Sequence, residues 1–115
     1  MAIEIWHNPR CSKSRETLKL LEEKGVEPQI YLYLEEQPTA DQITEILTKL
    51  DITARQLLRN SEDAYKELNL KDKTLTDEQL VAAMVATPKL IQRPIVINGK
   101  QARLGRPPEQ VLEIL

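Results

Sequence analysis

Apolar positions along the chain change their spacing several times, and each change marks an element. Ile3-Glu4-Ile5-Trp6 alternates apolar and polar, which predicts a short strand. His7-Asn8-Pro9-Arg10 is a turn-forming run broken by Pro9. From Ser12 the spacing becomes helical, with Thr17, Leu18, Leu20 and Leu21 on one side and charges on the other. Lys24-Gly25 ends that helix, with glycine where a left-handed cap is needed. Gln29 to Leu34 then reads as a second strand. Strand, helix and strand within so short a span make a βαβ unit, so the two strands should run parallel.

The middle of the chain reads as helix throughout. Thr39-Ala-Asp-Gln42, Thr53-Ala-Arg-Gln56 and Thr76-Asp-Glu-Gln79 are three capping-box signatures. In each, a threonine oxygen takes a free amide and the glutamine reaches back. Helices are predicted over roughly 40–50, 53–59, 62–68 and 77–86, the last stopped before Pro88. They form a helical insertion at about 40–87 rather than a separate domain. Pro94 to Ile97 is the next strand, Asn98-Gly99 predicts a type I′ hairpin turn, and Gln101 to Leu104 returns. Pro107-Pro108 opens a closing helix over Glu109 to Leu115. The expected fold is therefore one α/β domain over residues 1–115, in the order β-α-β, helical insertion, β-β-α.

Composition narrows the function classes. Aromatics are only 3% of the 115 residues and there is no Phe, so the core must be aliphatic. Sixteen Lys and Arg against 18 Asp and Glu leave a net charge of −2, which gives no support to nucleic-acid binding. No apolar run approaches the roughly 20 residues of a membrane span, so no membrane partner is expected. The N-terminus lacks the basic start and apolar stretch of a signal peptide. A single cysteine excludes an internal disulfide and a multi-thiolate metal site, and it points to the reducing cytoplasm. No metal site and no bound cofactor are expected.

Charge is unevenly spread. No acid lies between Glu4 and Glu16, where Arg10, Lys13 and Arg15 surround Cys11. None lies between Glu78 and Glu109, where Lys89, Arg93, Lys100, Arg103 and Arg106 fall. If the fold joins these windows, they make a cationic pocket around the thiol. Cys11 itself falls between the first strand and the first helix. Free amides and the macrodipole at a helix start favour an anion, so its thiol should ionise early. A buried structural cysteine is the plainer alternative, and the cationic neighbours argue against it.

Spacing prunes the reactions. The oxyanion loop of low-molecular-weight phosphatases needs Arg six residues after Cys, and here that residue is Thr17. A thioredoxin-type centre needs a second Cys where this chain has Ser14. A lone thiol cannot resolve its own mixed disulfide, so an external thiol must donate electrons, with glutathione the obvious candidate. His7 either tunes the thiolate or shapes the turn. Arg59, Arg93 and Arg106 are candidate oxyanion ligands, since guanidinium forks match tetrahedral oxyanions and stay charged. Arg59 is expected at a helix end, where a cation is favoured anyway. Arg93 precedes Pro94, a candidate for a cis bond facing the first turn. Arg103 is weighted lower because strand alternation turns it the other way.

The run Trp6-His7-Asn8-Pro9-Arg10-Cys11-Ser12-Lys13-Ser14-Arg15 resembles the glutaredoxin-coupled arsenate reductase family, in its chromosomal-type branch. The resemblance continues through Tyr33-Leu34-Glu35, Leu57-Leu58-Arg59, Leu90 to Val96 and Arg103-Leu104-Gly105-Arg106-Pro107, covering essentially the whole chain. It implies a thioredoxin-like fold with a helical insertion. It also implies Cys11 as nucleophile, with Arg59, Arg93 and Arg106 binding the oxyanion. His7 would lower the thiol pKa and Ser14 would hydrogen-bond the thiolate, with Arg15 in support. The substrate implied is arsenate, with glutathione as co-substrate, glutaredoxin as partner and a monomer as the working form. Two alternatives stand beside it. One is a redox-sensing transcription regulator of the Spx type, which binds the RNA polymerase α subunit. The other is a glutathione-dependent thiol transferase.

Overall fold

A computed structural model describes residues 2–115, which form two compact units. One runs to Glu36 and resumes at Arg93–Leu115; the other is the continuous segment Gln37–Gln92.

The first unit is built on a four-stranded sheet of order β2-β1-β3-β4. Its strands are β1 (Ile3–Trp6), β2 (Gln29–Tyr31), β3 (Ile95–Asn98) and β4 (Gln101–Leu104). β1 and β2 are parallel, joined through α1 (Ser12–Glu23), so the βαβ expectation holds. β3 runs antiparallel to both β1 and β4. Ser14, Thr17 and Leu21 form the buried stripe of α1. Leu21 joins Ile5, Val96, Val111 and Ile114 in an aliphatic core, with Ile3, Leu18, Leu20 and Val26 packed around it. The helix ends in a Schellman motif, in which Gly25 has φ 77 and the Val26 amide reaches the Leu21 carbonyl at 3.0 Å.

Three sequence expectations shift. The second strand stops at Tyr31 rather than Leu34 because β1 offers no further partner: the His7 amide closes the ladder on the Tyr31 carbonyl at 2.9 Å, and the turn follows. The chain then coils into α2 (Tyr33–Glu36), where buried Tyr33 stacks on Trp6 at 6.1 Å. The hairpin register pairs Asn98 with Gln101, so the two turn residues are Gly99 and Lys100 rather than Asn98 and Gly99. Only Gly99 has positive φ, which suits a type II′ turn instead of type I′. The closing helix is 3₁₀, Pro108–Ile114, because its buried residues Pro108, Val111 and Ile114 recur every third position.

The second unit holds α3 (Ala40–Leu50), α4 (Ala54–Leu57), α5 (Asp63–Glu67), α6 (Asp77–Ala86) and a 3₁₀ turn Pro88–Leu90. All three capping boxes form with both reciprocal hydrogen bonds. α3 and α5 close on left-handed Asp51 and Asn69 in the same Schellman pattern as α1. Arg55 donates from Nη1 and Nη2 to the carbonyls of Leu70 and Asp72, both at 2.8 Å, tying down the loop after α5. Ile43, Ile46, Leu57, Leu80, Met84, Leu90 and Ile91 are buried here. Among the described residues no helix is long and apolar enough to cross a membrane.

Candidate active site

The loop after β1 is shaped by its own polar groups. Asn8 Oδ1 accepts the Arg10 amide at 3.0 Å, and the Asn8 carbonyl accepts the Cys11 amide at 3.0 Å. This Asx-type turn delivers Cys11 in extended conformation to the N-cap of α1. Arg15 reaches back from α1 to the Pro9 carbonyl at 2.9 Å. Asn8 carries no charge and sits beside a proline, so its organising role was missed in the sequence; the Asn-Pro step was the available signal.

Beneath the turn, His7 and Ser14 are buried together, with Nδ1 and Oγ 2.6 Å apart. Burial, with the Arg15 charge behind it, lowers the His7 pKa and keeps the ring neutral near pH 7. Ser14 Oγ also accepts the Asn8 amide at 3.0 Å, so one hydroxyl joins the imidazole to the turn backbone. The histidine thus braces the turn through Ser14.

Cys11 is half-buried and free. Burial alone would push its thiol pKa up. The Ser14 amide, a hydrogen bond from the Arg93 side chain, the Arg93 charge and the Lys13 amide outweigh that and bring it below the usual value. The Ser14 contribution comes through its backbone amide.

Arg93 reaches the thiol because β1 and β3 are antiparallel. Trp6 pairs with Ile95, so the chain leaving β1 and the chain entering β3 lie at one end of the sheet. The Arg93–Pro94 bond is cis, and so is Arg106–Pro107, which sequence reading did not single out. The Gly105 amide donates to the Pro94 carbonyl at 2.9 Å. A Cβ on Gly105 would collide with Thr17 Oγ1 and come within 2.7 Å of Pro94 Cγ. Only glycine lets the chain leaving β4 pass so close to Pro94. Arg106 is exposed, and its Nη1 donates to the Arg93 carbonyl at 3.3 Å. Arg103 pairs with Glu113 at 2.8 Å, consistent with its lower weight.

Cys11, His7, Ser14, Arg15, Arg93, Pro94 and Arg106 all belong to the sheet unit, and Arg59 to the helical one. Arg59 is not a helix-end residue as expected. It lies beyond Leu58, the C-cap of α4, in an extended segment where Leu58 bridges Ile91 and the Arg59 amide donates to the Leu90 carbonyl at 2.7 Å. Its side chain is mostly buried, with Glu62 at 3.8 Å. Among the described residues no group of His, Cys, Asp and Glu has the makings of a metal site.

A mixed sheet of this order, with one cysteine at the N-cap position of its first helix opposite a cis-proline, defines a thioredoxin-like protein with a lone thiol. The ArsC family model matches residues 6–114. The chain is 51% identical over 116 residues to an arsenate reductase of Haemophilus influenzae, covering all of both chains. It is 57% identical to the uncharacterized protein YfgD of Escherichia coli K12, covering 98% of this chain and 96% of that one. The solved arsenate reductase from Vibrio cholerae superposes with TM-score 0.98 at 53% identity, over 100% of this chain and 98% of that one. The chain belongs to the ArsC family.

Proposed function

We propose that this chain is an arsenate reductase that works through the single thiol Cys11, with glutathione and glutaredoxin as external thiol donors. The observation that carries this reading is the thiol itself, lowered by the amides of Ser14 and Lys13 and by Arg93. An anionic nucleophile beside a guanidinium suits a substrate that is itself an anion, because the cation offsets the repulsion between the two. Relatives named as arsenate reductases support that choice of anion.

Arsenate plus two thiols gives arsenite, one disulfide and one water. Arsenate docks on Arg93 and Arg106, with Arg59 as the third oxyanion arginine. The Cys11 thiolate attacks arsenic(V), and one oxygen departs as water after protonation. Glutathione sulfur then bonds to the arsenic, releasing a second oxygen. A glutaredoxin thiolate attacks that glutathione sulfur, and the arsenic–sulfur bonding pair stays on arsenic, which becomes arsenic(III). Glutaredoxin leaves as its mixed disulfide with glutathione. Water then releases arsenite from Cys11 and restores the thiol. With Ser14 in place of a second cysteine, the protein has no internal thiol to perform the third step. A reducing cytoplasm supplies such donors, and we read the enzyme as working there as a monomer.

The test is arsenate-dependent NADPH oxidation in a system coupled through glutathione, glutaredoxin and glutathione reductase. Turnover should require arsenate and both thiol donors, and Cys11→Ser should fall to background with its thermal midpoint little changed. Arsenate reduction by Cys11→Ser would sink the assignment. Wild-type failure with arsenate, together with glutathione-dependent cleavage of mixed disulfides, would favour the thiol transferase.

A further inference from the structure

Two arginines four positions apart in the helical unit are treated in opposite ways. Arg55 spends two guanidinium nitrogens on backbone carbonyls. Arg59 has Nε and Nη1 buried without a hydrogen bond, and its side chain is only 16% exposed. Leaving buried guanidinium nitrogens without acceptors is costly, so a site built this way suits an acceptor that arrives from outside. The nearby carboxylate of Glu62 supplies charge at 3.8 Å, beyond hydrogen-bond distance.

The position of Glu62 is set by the chain. Its amide donates to the Arg59 carbonyl at 3.3 Å, closing a turn over Asn60 and Ser61. Glu62 also stands at the N-cap of α5, a place that favours Ser, Thr, Asp or Asn, and its carboxylate makes no cap there. The other three helices of this unit all have threonine caps. The carboxylate that would otherwise serve the helix lies against the arginine instead.

We propose that Glu62 is a specificity-determining residue: a resident carboxylate that competes with the incoming oxyanion for Arg59 and sets how tightly the anion is held. The proposal rests on Arg59 being one of the oxyanion arginines. A tetrahedral dianion offers Arg59 both charge and well-directed hydrogen bonds, whereas Glu62 offers charge alone. The dianion therefore wins, but at a cost in affinity equal to the interaction it displaces. Half-saturation with substrate thus comes at a higher concentration than it would without Glu62.

The experiment is calorimetric titration of sodium arsenate into protein carrying Cys11→Ser, so that binding is measured without chemistry. Four backgrounds are compared: Glu62 intact, Glu62→Gln, Arg59→Met, and Arg59→Met with Glu62→Gln. Glu62→Gln should tighten arsenate about fivefold, equivalent to about 1 kcal/mol. Arg59→Met should weaken it, and the gain from Glu62→Gln should then shrink to the small through-space effect of removing a nearby negative charge. Glu62→Asp should restore most of the original affinity, which the loss of a merely structural ion pair would not explain. Unchanged or weaker binding in Glu62→Gln, with Arg59 still required, overturns the competitor role alone. Indifference of arsenate to Arg59→Met overturns the assignment of Arg59 and the proposal with it, and so does undetectable binding in every background. Should Glu62→Gln fold poorly, Glu62→Ser supplies an N-cap while removing the charge, and the same tightening is expected.

Discussion

α1 of the sheet unit and the threonine-capped helices of the helical unit follow opposite conventions at their starts. In the helical unit α3, α4 and α6 begin with a threonine whose oxygen caps an amide, and α3 and α6 place Asp41, Asp77 and Glu78 in their first turns. Those charges oppose the positive end of the helix dipole, as stability asks. In the sheet unit α1 starts on Cys11, has no acid in its first turn and carries Lys13 and Arg15 there. Its far end is conventional, closed by Gly25. Helix stability alone does not account for cations gathered at the positive end of a dipole. Arg15 instead ties down the Pro9 carbonyl, and the amides of this first turn favour ionisation of the Cys11 thiol. The contrast separates helix starts built for stability from one built around a thiol.

The sharpest way to break this contrast is at Gly105, which belongs to the site by packing rather than by charge. Gly105→Ala should cost about 1–3 kcal/mol through overpacking against Thr17 and Pro94. It should also lower arsenate turnover, because Arg93 and Arg106 flank the displaced segment. Chemical denaturation beside the coupled assay checks both, and a variant as stable and active as wild type would refute the tight approach. Next in size are the caps. Thr39→Ala and Thr76→Ala should each lose about 1 kcal/mol of stability. Neither should move the pH at which Cys11 ionises, so denaturation and thiol titration together separate the two conventions.

The smallest effect is electrostatic. Iodoacetamide alkylation of Cys11 should be half-maximal below the usual 9.0, and Arg93→Gln should raise that midpoint. The sign for stability follows. The folded protein gives up its thiol proton at lower pH than the unfolded chain, so ionisation stabilises the fold. That contribution is complete above the usual thiol value and disappears as pH falls through the folded one. An alkylation midpoint unmoved by Arg93→Gln would leave the two amides as the only source of the shift.

Much of this was legible in the residues because it is local. Capping boxes lie within four residues, and the parallel β1–β2 pair follows from a helical period between two strand patterns. Errors arose where a distant partner decides. β2 ends at Tyr31 because β1 runs out, and the hairpin turn slides by one residue because Asn98 pairs with Gln101. The closing 3₁₀ helix did announce itself in the three-residue spacing of Pro108, Val111 and Ile114, which an α-helical reading overlooks. Arg59 and Glu62 were hard for a different reason. A guanidinium with two buried, unpartnered nitrogens shows only in three dimensions, and a glutamate at an N-cap looks ordinary until its carboxylate is seen to make no cap.

The antiparallel pairing of Trp6 with Ile95 also orders events in time. Cys11 is made early, but Arg93, which helps hold its thiol down, is added only after the entire helical segment has been synthesised. Until β3 has followed and found β1, the growing chain carries a cysteine without that cation and correspondingly less prone to ionise. The tendency of the thiol to ionise therefore rises on completion of the sheet, and a chain stalled before Arg93 lacks that contribution.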